Sequence, residues 1–260
     1  MTWLIGLILA GGVGVSMGLL GGGGAVLAVP ILVYIMRVPV ESAVAMTLIS
    51  IGTISLFGAI YHWRAGNLNV NKGLKFGLAM LPGSYLGGKI ATLPFMTDPI
   101  QMGLLGVVIV IAAVLMIARG YTPPLTEGAT LKMYPKPLCR HCGVWMMTEG
   151  LGIGLLTGLV GVGGGFAIVP ALVLLGDTPI KQAIPTSLLV IAISSVGGLF
   201  GYWGHVTLDA LLIIGFTAMT TVGLIVGLFW SRFVAAGALQ KLFGFLLIAV
   251  AAGIFLQART

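Results

Sequence analysis

The chain has 260 residues, of which 19 carry a formal charge (13 Lys or Arg and 6 Asp or Glu), while 58% are hydrophobic. A soluble domain carries about 25% charged residues; at 7% the apolar surplus has no core large enough to hold it, so a water-soluble globule and a disordered chain are both excluded and lipid is the expected solvent. The net charge of +7 does not point to nucleic acid, because Lys and Arg form no basic stripe with interleaved aromatics and instead punctuate apolar runs, as in the cytoplasmic loops of a membrane protein.

A charge inside hydrocarbon costs roughly 2.5 to 3.5 kcal/mol on insertion scales, so charge-free windows mark the spans. The first covers residues 1–36 and has no Lys or Arg before Arg37; it lacks the charged n-region of a cleavable signal peptide and is expected to be retained. It is too long for one crossing of about 20 residues and is interrupted by Gly21–Gly24. The reading is a full helix to about residue 20, a non-helical break, and a short helix from near Ala25. Windows at 42–63 and 99–118 follow, with a span over about 72–95 that contains Lys89. A polar, Pro-containing linker, 119–143, holds the two cysteines in Cys139-Arg140-His141-Cys142. The window 150–176 repeats the first pattern, with Gly161–Gly165 as the break and a short helix from near Phe166. Windows at 182–208, 210–231 and 242–258 complete the chain. An all-α integral membrane protein of about 8–10 spans is expected.

The halves repeat at an offset of 140 residues. Gly14, Gly18, Leu19, Gly21, Gly23, Gly24, Val29 and Pro30 meet Gly154, Gly158, Leu159, Gly161, Gly163, Gly164, Val169 and Pro170; Ser55 meets Ser195, Trp63 meets Trp203, and Gly83 and Gly87 meet Gly223 and Gly227. Residues 1–118 and 144–260 are therefore homologous transmembrane repeats, each with a Gly-broken unit and three further helices. Positive loops trade places between them: Arg64, Lys72 and Lys75 have no counterpart near 204–209, whereas Arg232 and Lys241 have none near 96–99. Under the positive-inside rule this pattern fits inverted-topology repeats in an inner (plasma) membrane, with the linker cytoplasmic and both termini outside. A parallel duplication is the alternative.

Paired Gly-interrupted helices at matching places in two halves point to the binding site of a secondary transporter. A short helix after such a break directs unsatisfied N–H groups and its positive dipole end into the gap, which suits an anion. The expected substrate site is Gly21, Gly22, Gly23, Gly24 and Ala25 with Gly161, Gly163, Gly164 and Gly165, joined by the hydroxyls of Thr47, Ser50, Thr186 and Ser187. The alternatives are a tight turn or close glycine packing for the breaks, and bonding within their own helices for the hydroxyls. Lys89 and Arg232 are expected to attract anions into the two vestibules, or to snorkel. His62 and His205, beside Trp63 and Trp203, read as interfacial. Gly83-x-x-x-Gly87 and Gly223-x-x-x-Gly227 fit helix-packing faces.

Cys139 and Cys142 are a weak metal candidate: two thiolates and His141 leave a tetrahedral site incomplete unless a second copy of the chain or another segment contributes. A redox pair is conceivable. The expected partners are a small anion and the lipid bilayer, with a homodimer as a further candidate; no cofactor is expected. No Gly-x-x-x-x-Gly-Lys-[Ser/Thr] nucleotide motif is present, so transport rather than an enzymatic activity is the reading. An anion channel on the same scaffold and a membrane redox or metal-handling protein are the competing classes.

Gly-Leu-Leu-Gly-Gly-Gly-Gly-Ala-Val-Leu-Ala-Val-Pro (18–30), Gly-Leu-Val-Gly-Val-Gly-Gly-Gly-Phe-Ala-Ile-Val-Pro (158–170) and Ala-Ile-Pro-Thr-Ser-Leu (183–188) resemble the TauE/SafE sulfite exporter family over nearly the whole chain except 119–143. The resemblance implies an inner-membrane carrier that exports sulfur-containing anions such as sulfite or sulfoacetate, coupled to an ion gradient. Two features depart from the family pattern: Ala43-Val-Ala-Met-Thr-Leu has no full Thr-Ser pair, and the linker carries cysteines.

Overall fold

The computed structural model describes residues 2–120, 142–161, 165–174, 178, 180–231, 248 and 252. Within them the chain is helical and contains no strand. Helix α1 (Thr2–Leu20) is followed by a 3₁₀ segment (Gly21–Leu27), one turn of α2 (Ala28–Pro30) and a π turn (Ile31–Ile35). Then come α3 (Val40–Arg64), α4 (Val70–Ala91), α5 (Asp98–Gly120), α6 (Cys142–Val160), α7 (Gly165–Leu174), α8 (Ile180–Tyr202) and α9 (Ala210–Trp230).

Among the described residues four stretches are long and apolar enough to cross a membrane: Trp3–Ile35, Val40–Arg64, Gln182–Tyr202 and Ala210–Trp230. The first is folded back on itself. Gly24 lies against Ser16 and Met17, and Met36 lies against Gly6, so residues 22–36 return along α1. Large apolar side chains such as Leu4, Leu78, Ile111, Ile214 and Ile225 are more than half exposed, the surface expected of a body whose solvent is lipid.

The helix ends repeat as the sequence does. Asn69 caps α4 by accepting from the Lys72 amide at 3.1 Å. Asp209, 140 residues later, caps α9 by accepting from the Leu211 and Leu212 amides at 3.0 and 3.1 Å. Equivalent bonds also follow each returning segment: Val38 N–H donates to Leu32 O (3.0 Å) and Thr178 N–H to Leu172 O (3.1 Å). Arg37 takes the left-handed conformation there, φ 57°.

Glycines decide which helices meet. A side chain at Gly14 would run into the Thr220 carbonyl and one at Gly18 into Leu224; on the facing helix, Gly223 and Gly227 sit against Gly11 and Val15. The counterparts behave alike: Gly154 and Gly158 sit against Met80 and Ser84, and Gly83 and Gly87 against Leu151 and Leu155. Thus α1 packs on α9 and α4 on α6, each pair running in the same direction, with backbones close enough that only glycine fits. The first helix of each half takes its partner from the other half. At the centre α3 and α8 cross in opposite directions, with Gly52 against Ser195 and Gly58 against Leu188.

A candidate anion site at the two glycine breaks

The first break is one residue wide. Leu20 ends α1 at φ −113°, ψ 4°, and Gly21 turns the chain at φ 69°. Gly161 does the same after α6 at φ 72°. Only glycine adopts such angles without penalty. The expected non-helical stretch 21–24 with a helix from Ala25 is therefore corrected: winding resumes at once in tight 3₁₀ form, which three further glycines without side chains permit. On the other side α7 starts at Gly165, one residue before Phe166.

The two breaks touch. A methyl group at Gly165 would overlap the Gly22 carbonyl oxygen, and one at Gly22 would stand 2.7 Å from the Gly165 Cα. Gly21, Gly22, Gly23, Gly24 and Ala25 are all buried, as are Gly161 and Gly165. One hydroxyl that reaches the first break comes from the opposite half. Gly22 N–H donates to Ser187 Oγ at 3.3 Å, and Ser187 in turn donates to Ile184 O at 2.7 Å. The serine has committed its single proton to a carbonyl, so toward Gly22 it is an acceptor and occupies the place an anionic oxygen would take. On the other side Val44 of α3 fills the space beside Gly161. Thr47, one turn further on the same face of α3, is fully buried, and its hydroxyl has no hydrogen-bond partner.

Two predicted site residues are held elsewhere. Ser50 accepts from Thr217 of α9 at 2.9 Å. Thr186 donates to Gln182 O at 2.6 Å and accepts the Asn69 amide at 3.3 Å, so it fastens the start of α4. Lys89 is exposed near the end of α4, with Nζ 5.6 Å from the Tyr85 ring centre. It lines a cavity of about 510 Å³ with Tyr85, Phe200, Trp203 and His205. Trp63 and Trp203 are 62% and 70% exposed, as belt residues should be. Gly163, Gly164, Arg232, Cys139 and the side chain of Cys142 lie outside the described residues. So does most of the last window, 242–258. Among the described residues no three His, Cys, Asp or Glu side chains gather as a metal site.

The sequence reading had not assigned four buried polar residues. Ser55 and Ser195, paired by the repeat, face the α3–α8 crossing with hydroxyls that have no partner; their match at the 140-residue offset was the available signal. Gln101 and Tyr202 join at the end of α6, with Gln101 Nε2 donating to Leu159 O at 2.7 Å and to the Tyr202 hydroxyl at 3.1 Å. No sequence pattern links those two positions.

The model of the family described as "Sulfite exporter TauE/SafE" matches residues 6–254. The chain belongs to the TauE/SafE sulfite exporter family. A protein of Xylella fastidiosa (strain 9a5c) named "Probable membrane transporter protein" is 31% identical over 245 residues, covering 92% of this chain and 89% of that one. "Probable membrane transporter protein YdhB" of Bacillus subtilis is 27% identical over 219 residues, 82% and 84% of the two chains. A "Probable membrane transporter protein" of Methanocaldococcus jannaschii is 30% identical over 195 residues, 73% and 68%. No solved structure matches. This TauE/SafE member is a membrane transporter.

Proposed function

We propose that the chain is a secondary transporter that exports small sulfur-containing anions, sulfite first among them, by alternating access around the Gly21 and Gly161 breaks. The contact between Gly22 and Gly165 carries this reading. Two helix starts that meet without side chains present backbone N–H groups at a buried point where no Lys or Arg is needed. The family's description supplies the anion class. In this reading an oxyanion displaces Ser187 Oγ from the Gly22 N–H, the freed serine rotates to donate, and the uncommitted Thr47 hydroxyl donates from the other half.

The two halves act as inverted repeats. Supporting this, α3 and α8 cross in opposite directions and each turns back at once into α4 and α9. Since α1 runs with α9 and α6 with α4, α1 and α6, the matching first helices, run in opposite directions. The linker then faces the cytoplasm of an inner (plasma) membrane and both termini face outside. Lys89 stands in the outer vestibule, and rocking of one half against the other opens the glycine contact to each side in turn.

The experiment is flux of sulfite, sulfoacetate, sulfate and thiosulfate into proteoliposomes at two pH values. Saturable, gradient-driven sulfite flux is expected. Flux that does not saturate with concentration would identify a channel, and flux of none of the four anions would overturn the anion reading.

A further inference from the structure

Breaking a helix within a membrane strands the carbonyls of its last turn, which have neither a following turn nor water to accept from. Among the described residues the last regular bond of α6 is Gly161 N–H to Thr157 O at 2.8 Å. The carbonyls of Gly158 and Leu159 beyond it are met by side chains from two other helices. The Tyr202 hydroxyl, at the end of α8, lies 3.1 Å from Gly158 O and 3.3 Å from Leu159 O. Gln101, in the first turn of α5, donates from Nε2 to Leu159 O at 2.7 Å and to the Tyr202 hydroxyl at 3.1 Å. Tyr202 is fully buried and Gln101 is 2% exposed. Burying a phenol and an amide is costly unless both are bonded, and here their donors converge on the last carbonyls of α6.

The 140-residue offset that maps the glycine contacts of α1 and α9 onto those of α6 and α4 does not reproduce these residues. Position 62, the counterpart of Tyr202, is His62, whose buried Nδ1 has no hydrogen-bond partner. The counterpart of Gln101 is Lys241.

We infer that Gln101 and Tyr202 are positioning residues that latch the second glycine break, tying the end of α6 to α5 and α8. The Gly161 arm of the site is then held in place by side chains of two other helices. Only the consequence for transport rests on the anion-carrier reading; the latch itself does not.

The test is hydrogen–deuterium exchange of the full chain in lipid nanodiscs, with Tyr202→Phe, Gln101→Met and the double variant, beside sulfite flux. Each substitution removes a donor with little change of shape. Exchange of peptides covering 157–166 is expected to quicken about tenfold, the effect of one buried carbonyl left unmet, while peptides covering 17–26 stay unchanged. The double variant is expected to match the singles, because the two side chains form one network. His62→Phe, which removes no bond, leaves 17–26 as it was. In flux, the sulfite KM rises with the maximal rate per folded protein largely kept, whereas a merely structural role would lower the folded amount and leave KM alone. Unchanged exchange at 157–166 in both single variants, or equal quickening at 17–26, would overturn the latch. If the wild type carries no sulfite, the carrier reading fails and the exchange data still decide the latch.

Discussion

Gly165 leaves no volume for even a methyl group, because the Gly22 carbonyl oxygen occupies it. Overpacking of this kind costs about 1–3 kcal/mol, so Gly165→Ala is expected to lower sulfite flux on the order of tenfold to a hundredfold. Gly12→Ala and Gly152→Ala are the controls. Both positions lie within helices with nothing within 4 Å of an added Cβ, and alanine is the better helix former by about 1 kcal/mol; flux should hold and thermal stability in detergent should rise slightly. The hydroxyls separate in the same way. Thr47→Val removes a buried group that has no partner, so stability should hold or rise while the sulfite KM rises about five- to tenfold. Ser50→Ala breaks the bond with Thr217 and should cost about 1 kcal/mol of stability with KM unchanged. Sequence spacing alone could not separate these roles. Thr186 and Ser187 are neighbours, but adjacent helical residues point about 100° apart, so one reaches the break and the other holds the α3–α4 loop.

At the scale of elements, the glycine faces of α1, α4, α6 and α9 form two equivalent interfaces. Gly14→Ala and Gly154→Ala should each lower the Tm by several degrees, since each added methyl meets a backbone carbonyl on the facing helix, of Thr220 in one case and Met80 in the other. Similar losses for the two variants, read by differential scanning fluorimetry, would show that the interfaces are energetically alike. The helices themselves were legible because charge scarcity and glycine clustering are local signals: the windows 42–63 and 210–231 match α3 and α9 to within a few residues. The breaks were legible because they occur twice. Their width was not, since φ 69° at Gly21 alone turns the chain and nothing in a run of four glycines says which one does. Pairing across the halves was hidden as well: Gly-x-x-x-Gly announces a close contact without naming its partner. Tyr202 carried no signal in the sequence because its bonds run to residues 43, 44 and 101 positions away.

Over the whole molecule, the inverted reading makes a compartment prediction. Asn67→Cys and Thr207→Cys, at corresponding turns before α4 and α9, should react with an impermeant maleimide from opposite sides of the membrane; reaction from one side for both would favour a parallel duplication. The exchange of partners between halves also sets a schedule for biosynthesis. Gly14 rests on Thr220, about 200 residues later in the chain. At about 5–20 residues per second, α1 waits on the order of 10–40 s in the bilayer before α9 has been made, with its glycine groove open to lipid or to an insertion chaperone. A nascent chain stopped before α9 is therefore as incomplete at its beginning as at its end. Pulse-chase labelling should find it degraded faster than a chain of full length.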